Sequence, residues 1–181
     1  LAIAPVTPVN SGGGFDQEVI PTTLAGLVYS DVVVDSLNQI HIFYYSSSSS
    51  SDSDTLKYLT KDQTNQWTSI DLDNPAGHRP VADMDANDVL HVAYVDRLNN
   101  ELKYATCSSL CYTSASQWSN VVVDSVTEVG DFTDIVVDTS GSIHIAYQDE
   151  TNDDLRYASC SSGCTNTLSW SCLLYTSDAA D

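Results

Sequence analysis

The sequence predicts an all-β fold, a β-propeller fragment of about three four-stranded antiparallel blades plus one strand of a neighbouring blade. A repeat is the first observation: the windows Asp31 to Tyr45, Val81 to Val95 and Asp134 to Gln148 align without a gap, with a period of 50 and then 53 residues. Each unit also holds four short runs rich in Val, Ile and Tyr, separated by Asp, Asn, Ser and Gly, which is typical of strands and turns. Four strands per unit at a fixed period of this length indicate propeller blades around a common axis.

Blade boundaries follow from the same alignment. Residues 16–20 form the predicted extra strand, because Phe15 takes the place of Trp118 when two stretches of equal length are aligned. That strand comes either from a preceding blade or from the final blade, which it would complete to close the ring. Residues 1–14 are predicted to be a linker or the remnant of an exported leader. The partial propeller spans 15–171, with blades at approximately 31–73, 81–124 and 134–171.

Four residue types recur at fixed places in every unit, and their simplest role is structural. An aspartate opens the turn after the first strand, where its carboxylate can accept hydrogen bonds from turn amides. A histidine lies in the second strand, a tyrosine in the third, and a tryptophan begins the fourth, where an aromatic ring packs at the blade edge. A ligand or catalytic role for the histidine is the alternative. The repeat positions are Asp35, Asp85, Asp138, His41, His91, His144, Tyr58, Tyr104, Tyr157, Trp67, Trp118 and Trp170.

The second strand of each unit predicts how blades pack. In blade three, Ile143, Ile145 and Tyr147 point to one face, whereas His144 and Gln148 point to the other, because successive side chains of a strand alternate. Neither set is strongly charged. Both faces are therefore predicted to be covered by neighbouring blades.

Two cysteine pairs arrive with an insertion before the last strand of blades two and three. Their sequences are "CSSLC", with Cys107 and Cys111, and "CSSGC", with Cys160 and Cys164. Cysteines four residues apart in a loop can meet disulfide geometry, so local pairing is predicted among the three connectivities. A four-cysteine zinc site is the alternative, but equivalent loops of adjacent blades fan apart. Disulfides indicate an exported protein, placed in the extracellular medium or on the cell surface.

The composition is strongly acidic, with 25 Asp and Glu against 6 Lys and Arg and a formal net charge of −19. Nucleic acid is excluded as a partner because phosphate binding needs basic clusters, and no membrane insertion is predicted. No cofactor or metal is assigned. Calcium is kept as an alternative, since "DETNDD" (149–154) and "SDSD" (51–54) only approximate a calcium-binding loop.

The last ten residues, Cys172 to Asp181, read "CLLYTSDAAD". They match the in-frame translation of a transposase adapter that is used in DNA library preparation. We therefore expect 172–181 to be a non-native tail that replaces part of the last strand of blade three. The natural protein is then expected to continue, and the remaining blades of the same chain are its expected partners, because propellers typically have about four to eight blades.

The stretch "VDTSGSIHIAYQDETNDDLRYA" resembles the repeats of secreted bacterial propeller proteins, which are grouped with sialidase-like (BNR) and NHL propellers. This resemblance covers 31–171 and implies the fold rather than an activity, because the sialidase Asp-box S-x-D-x-G-x-x-W is absent from the blades. A sialidase would bring three arginines to its substrate. Arg79, Arg97 and Arg156 lie instead at non-equivalent positions, a connector, a hairpin tip and a lysine position of other blades.

The predicted function is an exported propeller module that binds or scaffolds a glycan or an extracellular protein. The alternative is the propeller portion of a sialidase-like glycoside-processing enzyme whose catalytic residues lie in missing blades. Enzymatic activity is left undecided, with no catalytic and no ligand-binding residue assigned. Tyrosines and tryptophans between blades could stack on sugar rings. The inner-strand positions Asp31, Val81 and Asp134 vary only mildly, so no catalytic break of the repeat is predicted.

Overall fold

The computed structural model describes residues 27–46, 55–62, 64–125 and 128–175, and within them the chain forms three four-stranded antiparallel sheets. Blade 1 consists of β1 Leu27–Val34, β2 Ile40–Ser46, β3 Thr55–Lys61 and β4 Trp67–Asp73. Blade 2 consists of β5 His78–Met84, β6 Leu90–Asp96, β7 Glu101–Cys107 and β8 Ser119–Asp124. Blade 3 consists of β9 Val129–Val137, β10 Ile143–Asp149, β11 Asp154–Cys160 and β12 Ser171–Tyr175. The predicted propeller architecture of about three blades is confirmed.

Strand order within each blade follows the chain, and the first strands β1, β5 and β9 contact one another. These are the inner strands, and β4, β8 and β12 are the outer ones. The predicted linker 1–14, the predicted extra strand 16–20 and residues 176–181 lie outside the described part of the chain.

Each blade begins a few residues earlier than the repeat predicts. The inner strands start at Leu27, His78 and Val129. A register shift near each start interrupts the pairing with the second strand. Such a bulge breaks the alternation of side chains between the two faces, so the residues before it do not continue the repeat pattern.

Blade 3 ends with a strand that includes part of the predicted non-native tail. In β12, Leu173 pairs with Tyr157 and Tyr175 pairs with Leu155. All five side chains of β12 are exposed. An outer strand of this kind is held by its backbone hydrogen bonds to β11. Because its side chains are exposed, many different sequences can form it.

The turn between the first and second strands is the same in all three blades. One carboxylate oxygen of the opening aspartate accepts from the backbone amides two and four residues later, at 2.7–2.9 Å. The residue three positions after the aspartate has a positive φ, which Asn, Asp and Gly tolerate best. The capping residues are Asp35, Asp85 and Asp138, and the residues with positive φ are Asn38, Asp88 and Gly141.

Two hydrophobic clusters lie between the blades. The first joins blades 1 and 2 and contains Phe43, Tyr58, Val92, Tyr94 and Trp118. The second joins blades 2 and 3 through side chains that include the fully buried Leu102, Tyr104, Ile145 and Tyr147. The core is therefore a series of blade interfaces rather than one central core, as stacked repeats require.

The prediction that both faces of the second strand are covered holds for β6, in which every residue is buried. It is wrong for β10. Ile143, Ile145 and Tyr147 are buried against blade 2, but Ala146 is exposed and His144 is only half-buried. The physical reason is that blade 3 ends the described array, so its outward face has no neighbouring blade.

Candidate functional site

Each blade pairs its repeated histidine with its repeated tyrosine, and in blade 3 the turn aspartate joins them, an arrangement that at first resembles a catalytic relay. The ring Nδ1 and the tyrosine hydroxyl oxygen lie 2.7 Å apart for His41 and Tyr58, and 2.6 Å apart for the blade 2 pair. In blade 3 the distance is 2.5 Å, and Nε2 of His144 lies 3.2 Å from the turn aspartate Asp138. A nucleophile and base at these distances would need pKa values suited to proton transfer.

The pKa values of these groups indicate a structural role. Burial lowers the pKa of His41 and of His91, so both rings stay neutral at pH 7. Burial also raises the pKa of Tyr104 to about 12 and raises that of Tyr58 further. The histidine–tyrosine pairs therefore tie the second strand to the third, and the aspartates cap the turns, so these residues hold the blade together rather than activating a nucleophile.

The tryptophans of blades 2 and 3 are wedges between blades. The Trp118 ring makes edge contacts with Phe43 and Tyr58 of blade 1, with centroids 5.7 and 5.2 Å away. Trp170 makes the same kind of contact with Tyr104 of blade 2 at 5.1 Å. Trp118 is buried, so this ring is not available to stack on a ligand.

The two cysteine loops hold these tryptophans in place. Disulfides join Cys107 to Cys111 and Cys160 to Cys164, so the four sulfurs are not available as zinc ligands. The indole Nε1 of each tryptophan donates to the carbonyl oxygen of the second cysteine of its own loop, at 3.0 Å in both blades. The insertions therefore brace the blade interfaces.

Carboxylates at the ends of the outer strands β4 and β8 link each blade to the next. Asp124 of blade 2 accepts from the Tyr147 hydroxyl at 2.5 Å and from Arg156 Nη1 at 3.0 Å, both in blade 3. Asp73 of blade 1 takes the same two contacts from blade 2, through a tyrosine at 2.9 Å and Lys103 at 2.5 Å. Arg156 is thus part of an interface.

The groove between the inner strands holds a different arrangement. Tyr29, Arg79 and Phe132 are equivalent residues of the three blades, each two positions before the inner-strand residue at which the predicted repeat starts. The guanidinium carbon of Arg79 lies 4.2 Å from the Tyr29 ring centroid and 5.1 Å from that of Phe132. Arg79 Nη2 also donates to the Tyr29 hydroxyl at 2.9 Å. A cation is thereby held between two aromatic faces, which is a favourable electrostatic arrangement.

This arrangement forms part of the wall of a groove of about 840 Å³, lined by all three blades. Phe132 is 69% exposed there, and Tyr29 is exposed as well. The carboxylates that line the groove are Asp31, Asp134, Asp153 and Asp154. Asp31 is engaged across the first blade interface, because its Oδ2 accepts from the backbone amide of Ala82 at 2.8 Å.

The described part of the two calcium-like segments does not form a cluster of metal ligands. Asp149 of "DETNDD" is buried and accepts from the backbone amides of Thr151 and Asn152 at 3.1 and 3.2 Å. The segment 51–54 lies outside the described residues. Within the described ranges no three His, Cys, Asp or Glu side chains are grouped as metal ligands. None of the helices in the part of the chain that the structure describes is long and apolar enough to span a membrane.

Sequence reasoning missed the groove residues. It placed Arg79 in a connector, whereas the structure places it in β5. The signal was present, because extending each repeat by two residues aligns Tyr29, Arg79 and Phe132 and reveals a cation between two aromatics. Arg79 is therefore a break of the repeat at an inward position. The bulge near the start of each inner strand interrupts the repeat pattern, so the alignment did not extend to these three equivalent residues.

No protein-family model and no curated protein sequence matches the chain. Among solved structures, a fucose lectin from Kordia zhangzhouensis in complex with methyl-fucoside is similar, with a TM-score of 0.52 and 15% identity over 81% of this chain and 99% of the lectin chain. An exo-beta-1,3-galactanase from Phanerochaete chrysosporium with galactose is similar at a TM-score of 0.53 and 15% identity over 82% of this chain. This chain spans 35% of the galactanase. These likenesses concern the fold.

Proposed function

We propose that this chain is an exported glycan-binding propeller module that holds an uncharged saccharide in the groove between the inner strands. The observation that carries the proposal is the convergence of Tyr29, Arg79 and Phe132, which are equivalent in sequence and come from three different blades. Ligand sites combine apolar and aromatic walls with a few polar groups that fix orientation. The groove has both.

The side chains suit the chemistry of a sugar ring. A pyranose has an apolar face of C–H groups, which can lie on an exposed aromatic ring such as Phe132. Its hydroxyls can then accept from Arg79 and donate to the exposed carboxylate of Asp134. Phe132 is a large apolar side chain left 69% exposed in a concave surface, and such exposed apolar groups often mark a binding surface.

Charge favours an uncharged saccharide over an anionic one. Carboxylates line the groove, and the chain has a formal net charge of −19. A sialic acid or uronate would be repelled by this field, and Arg79 would supply one compensating charge among several like-charged neighbours. Electrostatic repulsion of this kind is stronger at low salt.

An extracellular or cell-surface location fits the two disulfides, which persist in oxidising compartments. The resemblance to secreted bacterial propeller repeats points the same way. Two structural neighbours carry methyl-fucoside and galactose, which supports a saccharide as the ligand. The runner-up function is the propeller portion of a glycoside-processing enzyme, because this chain spans 35% of the galactanase.

The test is calorimetric titration of the chain with a panel of neutral mono- and disaccharides and, in parallel, with sialic and uronic acids. The expected result is saturable binding of a neutral sugar, weakened about tenfold by Phe132→Ala, since losing an aromatic contact worth about 1.4 kcal/mol changes Kd tenfold. Leu168→Ala is the matched control, because this residue is 92% exposed and outside the groove.

Four outcomes contradict the proposal. If no sugar of the panel binds, the hypothesis that the ligand is a glycan is wrong. If both variants weaken sugar binding equally, the binding surface does not lie in the groove. Preferential binding of an acidic sugar overturns the assignment of an uncharged ligand, and release of free sugar from a bound glycoside would support the enzyme instead.

A further inference from the structure

Arg79 departs from its counterparts in backbone conformation as well as in side chain. Its φ is 45°, in the left-handed region that residues other than glycine usually avoid. Most of the other non-glycine residues with positive φ in the described chain are Asn or Asp, which tolerate this region, and the described counterparts Tyr29 and Phe132 do not share it. A backbone held in this way beside a groove points to a role for the side chain that it presents.

The Tyr29 ring is the part of the groove that this arginine holds most closely. The guanidinium carbon lies 4.2 Å from the ring centroid, and Nη2 donates to the hydroxyl at 2.9 Å. The ring also stacks on Tyr45 at 6.1 Å and makes an edge contact with His78 at 6.2 Å. Both of these partners are buried. Two buried rings and a cation therefore fix Tyr29, although its own side chain is 42% exposed in the groove.

The hydrogen bond from Arg79 decides where the Tyr29 proton points. A guanidinium has N–H donors and no acceptor, so the Tyr29 oxygen accepts from it and the phenolic proton turns away from Arg79. A hydroxyl whose oxygen accepts from a cation is also a stronger donor, because successive hydrogen bonds polarise one another. The wall of the groove thereby presents an O–H donor of fixed direction.

The carboxylates of the groove have the opposite hydrogen-bonding character. Asp134 and Asp154 line the same groove, and a carboxylate accepts hydrogen bonds without donating any. These groups therefore suit the hydroxyl protons of a sugar. The ring oxygen and the glycosidic oxygen of a glycoside carry no proton and can only accept, so a fixed O–H donor is the group that recognises such an acetal oxygen.

We propose that the Tyr29 hydroxyl donates to an acetal oxygen of a bound glycoside, and that Arg79 is the positioning residue that directs this donor. The proposal rests on the proposed glycan-binding function and extends it, because it names the ligand oxygen that is recognised and the residue that recognises it. Phe132, the counterpart of Tyr29 in blade 3, has no hydroxyl and supplies the apolar wall instead. The three blades then contribute a donor, a positioning cation and a stacking surface to one site.

The first experiment is calorimetric titration with the methyl glycosides of glucose, galactose and mannose. For a glycoside that binds, Tyr29→Phe should raise Kd about fivefold, the change that one neutral hydrogen bond typically supplies. Two analogues of that glycoside carry sulfur, a weak acceptor, in place of the ring oxygen or of the glycosidic oxygen. One of them should bind the unchanged chain about fivefold more weakly than its parent glycoside, yet bind the Tyr29→Phe variant as well as the parent does.

Two results of this titration overturn the assignment of an acetal oxygen. The first is full affinity of both sulfur analogues for the unchanged chain. The second is the same loss of affinity in the Tyr29→Phe variant as in the unchanged chain, because the lost acceptor would then face another donor.

Arg79→Lys tests the positioning role, because lysine keeps the charge but lacks the planar N–H fork that holds the Tyr29 hydroxyl. It should weaken glycoside binding about fivefold and have a clearly smaller effect in the Tyr29→Phe background, since both residues act through one hydroxyl. Equal effects in the two backgrounds would overturn the positioning role. Arg97→Lys is the matched control, because this exposed arginine lies outside the groove, and it should leave Kd unchanged.

Fluorine NMR of the ligand-free chain, with fluorotyrosine in place of tyrosine, tests the same role without a sugar. The Tyr29 signal is assigned by its loss in Tyr29→Phe. Arg79→Lys should shift this signal, whereas Arg97→Lys should not, and circular dichroism checks that each variant stays folded. A Tyr29 signal that Arg79→Lys leaves in place overturns the positioning role even if glycosides bind.

The outcomes separate this proposal from the glycan-binding function. If a glycoside binds and Tyr29→Phe leaves its Kd unchanged, the donor role is wrong while the proposed function stands. If no glycoside binds the unchanged chain, the proposed function is wrong and the donor role is wrong with it.

Discussion

The hydrogen bond between Tyr147 and Asp124 allows a test of what holds the blades together. We predict that Tyr147→Phe destabilises the protein through the second blade interface. The hydroxyl donates to a carboxylate oxygen of Asp124 at 2.5 Å. Burial, followed by the hydrogen bond to Asp124, raises the pKa of Tyr147 well above its ordinary value, so the donor keeps its proton at pH 7.

The size of the expected loss of stability depends on the charge of the acceptor, Asp124. A hydrogen bond to a charged group contributes about 1.5–3 kcal/mol. Asp124 keeps its ion pair with Arg156 at 3.0 Å in the variant, so the cost of a wholly unpaired buried carboxylate is avoided. We therefore expect a loss of about 2 kcal/mol in the free energy of unfolding.

Blade 1 offers a matched control. Tyr44 is the counterpart of Tyr147 and is equally buried, at 2% against 1% exposed. Its hydroxyl pairs with the neutral Ser69 Oγ at 3.2 Å. Tyr44→Phe should therefore cost about 1 kcal/mol or less, the usual value for a neutral hydrogen bond.

Urea unfolding followed by circular dichroism measures the difference. For an m-value of about 2 kcal/mol per molar, the two midpoints should differ by roughly 0.5 M. Equal midpoints would refute the reasoning that the charged acceptor across the blade interface sets the energy. A changed m-value would indicate instead that the blades no longer unfold together.

Three further predictions concern individual side chains and one glycine. Burial lowers the pKa of His91 below 6.5, so on acidification the unfolded chain takes up this proton before the folded chain does, and stability should fall as the pH drops below about 6.5. Urea midpoints measured between about pH 7 and 5 should decline less for His91→Asn than for the unchanged protein. An equal decline in both would contradict the conclusion that the buried His91 titrates below its ordinary pKa. Trp118→Ala should cost about 3–5 kcal/mol because its ring is wedged between blades, whereas Trp67→Ala, at a half-buried ring, should cost clearly less; similar losses in urea unfolding would remove the wedge role. Gly77→Ala should cost more than Gly141→Ala in the same assay, because both have positive φ but only a Cβ at Gly77 would overlap the backbone of Leu56; the control should lose only about 1–2 kcal/mol.

Much of the blade could be predicted from local sequence. The turn aspartates cap their own turns, and the histidines and tyrosines meet within one blade because β2 pairs with β3 in a fixed register, with His41 opposite Thr60 and Phe43 opposite Tyr58. The disulfides join cysteines four residues apart. All of these contacts depend on chain segments that are close in sequence.

The groove could not be predicted in the same way. Arg79 lies before a register shift, where the alternation that guides alignment fails. Its neighbours Tyr29 and Phe132 are about 50 residues away on either side and approach only because inner strands meet around an axis. Likewise, nothing in the local sequence says that Asp124 receives a hydroxyl and a guanidinium from the following blade.

The sequence by itself determined the repeat, the strand order and the chemistry of each position, because a blade is built from contacts along one short stretch of chain. Only the tertiary structure decided which of the equivalent positions are buried. Leu56, Leu102 and Leu155 occupy the same place in their blades, yet two are fully buried and one is 57% exposed. Burial depends on the blade that packs alongside, and that neighbour is a property of the assembled array.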